Sequence, residues 1–282
     1  MNAPRRHIGL IAGGGKLPVQ VARAVRESDD DLTIINVQGD ASPSALPSGT
    51  LLPLSKFGKM LKHFKSRGVS HVCMAGTVSR PDFADFKPDL AAMRYLPGTV
   101  RAARDGDDAL LRHVMSIFEG KGFRIISAQQ LCATLLLAEG PVGAVNITAA
   151  YKADALRAME VAAAIGAMDI GQGAVVADGV VLAVEAQEGT DAMLLRVAEL
   201  PEAVRGTTMR RAGVLAKRPK PGQDKRADLP TLGPRTVDLA AKAGLAGIIA
   251  EAGEAFLLDA EATRALADRM GVFVLGLPKS GG

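Results

Sequence analysis

Short apolar runs alternate with amphipathic helical stretches through the first half of this 282-residue chain. That alternation constrains the fold more than any other feature. The runs at 8–12, 32–37, 69–75 and 123–126 read as strands. Between them, apolar residues at helical spacing predict helices over 17–25, 56–67 and 101–118. Strand and helix in turn imply a mostly parallel sheet with right-handed crossovers. Ligands of such sheets bind beyond the carboxyl ends of the strands. Two loops fall at that edge, one holding Gly13, Gly14 and Gly15, the other running from Gly76 through Ser79 to Arg80.

The first loop belongs to the stretch GLIAGGGKLP at 9–18. Three glycines close an apolar strand, and Pro18 fits a first helical turn. A strand, a glycine-rich turn and a helix start together favour an anion, through exposed N–H groups and the helix dipole. The spacing matches neither the dinucleotide fingerprint nor a P-loop. Two readings stand: a tight first turn of an α/β fold, or a loop that faces phosphate.

Composition narrows the function classes. Apolar residues make up 48% and charged residues 23%, enough for a substantial core. Aromatics reach only 4% and Trp is absent, so base stacking on aromatic platforms has little support. A net charge of +4 suits phosphorylated ligands or an anionic membrane surface, and is too small to argue for nucleic acid. Cys73 and Cys132 lie far apart in apolar segments, as buried free thiols of a reducing compartment would. Four histidines and no C-x-x-C pair leave zinc sites and histidine triads without support. The opening residues carry no signal-peptide core and no apolar run reaches the ~18–20 residues of a membrane span, so a cytoplasmic location is expected.

The regularity breaks over 137–149, which reads as a linker between domains at 1–138 and 139–282. Beyond it come an Ala-rich helix at 152–165 and two apolar runs joined by Asp178-Gly179, a strong hairpin signal. Helices are expected from 191, from 236 and over 260–270, with short strands at 212–216, 247–250, 255–258 and 272–275. The fold class is therefore α/β: a Rossmann-like parallel-sheet N-terminal domain plus a distinct mixed α/β C-terminal domain.

Several segments could carry chemistry. VEAQEGTDAMLLR at 184–196 gathers Glu185, Glu188 and Asp191 at a strand-to-helix junction, with Thr190 or Asp191 as the cap. They are either ordinary helix caps or carboxylates that hold Mg²⁺ beside phosphate oxygens. The stretch 210–226 packs Arg210, Arg211, Lys217, Arg218, Lys220, Lys225 and Arg226 against a single acid, Asp224. A solvated loop would look the same. Yet Lys217 ends an apolar strand, and Asp228 precedes Leu229-Pro230. A lysine and a carboxylate so placed suit a diphosphate, one screening charge and the other holding metal or activating water. Arg80 is a candidate phosphate fork, Asp107 and Asp108 open a helix, and Gln172 lies between two glycines where it could read a sugar or base edge.

Taken together, GLIAGGGKLP, AGTVSRPDF, RDGDDALLR, DIGQGAVV, AVEAQEGTDAMLLR and VLAKRPKPGQDKRADLPTLG resemble the LpxI-type UDP-2,3-diacylglucosamine pyrophosphatases over nearly the whole chain. The resemblance implies Mg²⁺-dependent hydrolysis of the UDP-sugar's diphosphate, at a site between the two domains. The products would be UMP and the diacylated glucosamine 1-phosphate used in lipid A synthesis. It assigns catalysis to Asp228, Lys217 and Asp191, and metal to Asp228, Asp191 and Glu188. Substrate would meet Gly13, Gly14, Gly15, Ser79, Arg80, Asp107, Gln172 and Thr190. A homodimer and a peripheral place on the inner membrane are further expectations. On the residues alone, a Rossmann oxidoreductase and a nucleotide-sugar-binding protein without catalysis stay open.

Overall fold

The structure, a computed structural model, describes residues 5–40, 46–79, 86–222, 226 and 229–279. The chain divides into two compact units, the first comprising Met1–Ala133 with Asp224–Asp228 and the second Thr134–Gln223 with Leu229–Gly282.

The first unit runs β1 (His7–Ala12), α1 (Leu17–Glu27), β2 (Asp31–Val37), β3 (Thr50–Leu52), α2 (Phe57–Ser66) and β4 (His71–Ala75). It continues through α3 (Leu90–Met93), α4 (Leu96–Asp105), α5 (Asp107–Glu119), β5 (Arg124–Ile125) and α6 (Ala128–Leu131). The sheet order is β3-β2-β1-β4-β5, with every pairing parallel. This is the doubly wound order, in which the chain winds outward from β1 in one direction and then the other. β1 is buried along almost its whole length, as expected of a strand covered on both faces. Phe64, Phe118 and Phe123 pack with Ile35, Met60 and Val72 on one side of the sheet. Each large apolar side chain buried there stabilises by about 1.5–3 kcal/mol.

Two local expectations are corrected here. The single helix expected over 101–118 is two, α4 and α5, because Gly106 adopts φ 128, outside the helical region. β3 was not anticipated; three residues with two of them exposed leave too weak a pattern. Cys73 and Cys132 are buried free thiols. Burial holds both above the usual thiol range, Cys132 at about 11.

The second unit comprises β6 (Gly140–Pro141), α7 (Ala149–Ala167), β7 (Gly173–Ala177), β8 (Val180–Val184), α8 (Gly189–Ala198), α9 (Glu202–Arg205) and β9 (Val214–Lys217). After these come β10 (Thr231–Leu232), α10 (Pro234–Lys242), β11 (Gly247–Glu251), β12 (Phe256–Leu257), α11 (Ala260–Met270) and β13 (Phe273–Leu277). Its main sheet has the order β6-β13-β11-β9-β7-β8. β13, β11 and β9 are parallel, and the flanking pairings are antiparallel. The hairpin signal holds: Asp178 and Gly179 both take positive φ, as a two-residue primed turn requires. The buried Asp154 carboxylate on α7 accepts the N–H groups of both, at 2.9 and 2.7 Å, and ties the turn to that helix.

The stretch 137–149 is not a free linker. β6 pairs with β13, the Leu137 N–H bonds the Ala255 carbonyl at 2.8 Å, and Val142 N–H bonds Val274 at 2.9 Å. The segment is woven into the second unit by contacts more than a hundred residues away in sequence. Alternation along β9 sets its two faces: Leu215 packs in the core under α8 and α10, and Val214 and Ala216 in the core under α7. By the same period of two, Lys217 takes the α8 side.

Candidate active site

In the first unit, the loops that follow β1, β2 and β4 meet at the carboxyl edge of the sheet. The strand order reverses between β1 and β4, which is where a ligand crevice is expected. Gly13 N–H donates to Ala75 at 2.9 Å and Gly14 N–H to Thr77 at 2.7 Å, while Thr77 N–H returns to Gly14 at 3.1 Å. A Cβ on Gly13 would overlap the Thr77 carbonyl, and one on Gly76 would overlap that of Gly14. The glycines are thus needed first for backbone against backbone. Gly15 differs, with φ 84 and open space where a Cβ would stand. Ser79 donates through N–H (2.8 Å) and hydroxyl (2.5 Å) to Asp40, which fastens the third loop to the second. Arg80 lies outside the described residues.

Asp107 and Asp108 open α5. The helix runs back across the sheet into β5, so its start lies at this same carboxyl edge. Asp108 pairs with Arg112 one turn on, at 2.8 Å.

In the second unit, a polar cluster sits at the carboxyl end of β9. Lys217 is 5% exposed and its Nζ donates to Thr190 Oγ1 at 2.6 Å. Thr190 Oγ1 donates in turn to Glu185 Oε1 at 3.0 Å, and Glu185 is 6% exposed. Among the described residues, Glu185 Oε2 and Gln172 Oε1 are buried atoms with no hydrogen-bond partner. Gln172 is held by its main chain, whose carbonyl accepts from Arg218 N–H at 2.9 Å. Arg218 and Glu251, 3.2 Å apart, form a second pair at the same edge on the α7 side. A buried ammonium is costly unless carboxylate and hydroxyl partners surround it. Lys217 has both.

Thr190 or Asp191 was expected to cap α8. The helix instead begins at Gly189 after Glu188, with no side-chain cap, and the Thr190 hydroxyl turns inward to Glu185. Asp191 pairs with Arg235 at the start of α10. Glu188 pairs with Arg196 at 2.6 Å. Its own backbone N–H, and then Arg196, hold its carboxyl below the usual range. Among the described residues no three His, Cys, Asp or Glu side chains converge as a metal cage. Asp228 lies outside the described residues.

Sequence reasoning named Lys217, Thr190 and Gln172, which this edge brings together, and noted Glu185 without choosing it. Glu251 was missed. A common signal was available: VLAK, GIIAE and VVLAVE are apolar strand runs that each end on a charge.

Fold and site define a two-unit α/β protein: a doubly wound parallel sheet, then a mixed sheet with a buried cation at its carboxyl edge. Residues 7–135 match the LpxI N-terminal domain and residues 138–275 the LpxI C-terminal domain. The chain is 50% identical over 273 residues to the UDP-2,3-diacylglucosamine pyrophosphatase LpxI of Caulobacter vibrioides, covering 96% of this chain and 98% of that one. It belongs to the LpxI family.

Proposed function

We propose that the chain hydrolyses the diphosphate of UDP-2,3-diacylglucosamine in lipid A synthesis, giving UMP and 2,3-diacylglucosamine 1-phosphate. It is an enzyme of the pyrophosphatase type. The observation that carries the site assignment is the buried Lys217 ammonium, held by Thr190 and backed by Glu185. Water attacks one phosphorus, the bond to the bridging oxygen breaks, and the departing phosphate takes the electron pair. Fixed positive charge helps most where that negative charge develops. Lys217 supplies it from a position that needs no reorganisation. Asp228 takes the proton of the attacking water. The glycine loop, Ser79, Arg80, Asp107 and Gln172 are assigned to substrate. An oxidoreductase has less support, because the glycine spacing does not match the dinucleotide fingerprint.

Mg²⁺ is proposed as the cofactor. Mg²⁺ commonly keeps several waters and takes only one or two carboxylates, so it needs no preformed cage of side chains. Asp228, Asp191 and Glu188 are the proposed holders; Asp191 and Glu188 are engaged by Arg235 and Arg196 and would first have to leave them. An ion held there would neutralise charge on the phosphoryl oxygens. Purified chain incubated with the UDP-lipid and Mg²⁺ is expected to release UMP and lipid phosphate in equal amounts, and to stop when EDTA is added. Turnover unchanged by EDTA would remove the metal; release of UDP in place of UMP would remove the diphosphate chemistry.

A substrate with two acyl chains places the enzyme at a lipid surface. Among the described residues no helix is long and apolar enough to cross a membrane. Peripheral attachment through the basic stretch 210–226 is proposed, carried by its exposed cations such as Arg210 and Arg226 and not by the buried Lys217, each adding at most ~1 kcal/mol. Co-flotation with anionic vesicles at low salt, lost at high salt, is the expected result. No flotation at low salt would exclude it.

A further inference from the structure

Glu185 backs Lys217 but has been given no part of its own in the hydrolysis, although it is a buried carboxylate of the Lys217 cluster. Its Oε1 accepts the Thr190 hydroxyl at 3.0 Å, and the same hydroxyl oxygen lies 2.6 Å from Lys217 Nζ. An ammonium can only donate and an ionised carboxylate can only accept. The hydroxyl hydrogen must therefore point to Glu185, which turns the oxygen's lone pair to Lys217. The direction of the whole chain is set from the Glu185 end.

The neighbouring backbone is shaped around this carboxylate. A Cβ on Gly173 would come within 2.5 Å of Glu185 Oε2, and a Cβ on Gly171 would overlap the Glu185 carbonyl. Gly171 is thus required by the Glu185 main chain, and a side chain at Gly173 would displace the Glu185 carboxylate from its present position. The carboxylate is buried; α8 and β9 supply Thr190 and Lys217, and Glu185 directly follows β8.

We propose that Glu185 is a positioning residue for the hydrolysis: through the Thr190 hydroxyl it holds the Lys217 ammonium where the substrate's diphosphate meets it, so that the three side chains act as one unit. The proposal rests on the assignment of Lys217 to the diphosphate. Without Glu185, the hydroxyl is free to rotate and the long lysine side chain has other rotamers within reach. A displacement of about 1 Å at a reacting centre can cost on the order of 100-fold in rate.

A double-mutant cycle on the full chain tests this. Glu185→Leu and Thr190→Val each remove one link with little change in volume. Each is expected to lower kcat by about 10–100-fold with KM changed by less than about 3-fold, since misplacement acts mainly on the transition state. The double variant is expected to lie within about 3-fold of the worse single one, as residues acting as a unit do. Glu185→Gln, which keeps an acceptor for the hydroxyl, should recover most of the rate lost in Glu185→Leu. Thermal melts report folding; if Glu185→Leu does not fold, Glu185→Gln with Thr190→Val completes the comparison. Losses that multiply in the double variant, or near-normal kcat in Thr190→Val, would overturn the proposal. If the unmodified chain released no UMP, the hydrolase assignment would fail instead, and the two failures are told apart in the same assay.

Discussion

Lys217→Met is expected to lose ~10²–10³ in kcat, about 3–4 kcal/mol of transition-state stabilisation, the usual effect of removing one fixed group aimed at developing charge. An exposed lysine in a surface ion pair is worth at most ~1 kcal/mol. Lys242, paired with Asp238 on the outside of α10, is such a lysine. Lys242→Met should therefore stay within a few-fold of the unmodified chain. Lys217→Met also leaves the part-buried Thr190 hydroxyl without its donor, so a lowered melting temperature should accompany the lost activity. A melting temperature that falls while kcat holds would make Lys217 a structural cation only.

Asp228→Ala is expected to fold normally, to bind the UDP-lipid and to lose at least ~100-fold in kcat. Asp228 lies outside the described residues, but the chain directly after it is anchored. Leu229 is buried, and the Pro230 carbonyl accepts the Phe256 N–H at 2.8 Å. Asp224, four residues earlier in the basic stretch, has no such support in the sequence, and Asp224→Ala should lose much less. Steady-state kinetics of the two variants, with melts as a folding control, decide the matter. Equal losses would take Asp228 out of the chemistry.

The parallel sheet of the first unit and the hairpin of the second were legible because local pattern causes them. Buried strands read as apolar runs, and Asp-Gly tolerates the positive φ of a primed turn. What escaped depends on partners distant in sequence. The triple glycine pointed to a ligand, yet its nearest demand is the approach of Thr77, more than sixty residues on. Glu188 and Asp191 have spacing that suits a metal, but Arg196 and Arg235 reach them in the fold, and Arg235 comes from another helix. The run 137–149 lacks periodicity because β6 is two residues long and owes its existence to β13. Lys217 was visible as a charge ending a buried strand; that Thr190 and Glu185 would meet it was not.

Cleavage of the diphosphate at the buried Lys217 cluster of the second unit is the proposal on which the other assignments depend. Product analysis answers it most directly, with UMP and lipid phosphate measured over time for the unmodified chain and Lys217→Met under one set of conditions. The expected result is equal amounts of both products from the unmodified chain, and at least ~100-fold slower release from the variant. Release of both products by Lys217→Met within a few-fold of the unmodified rate would contradict it.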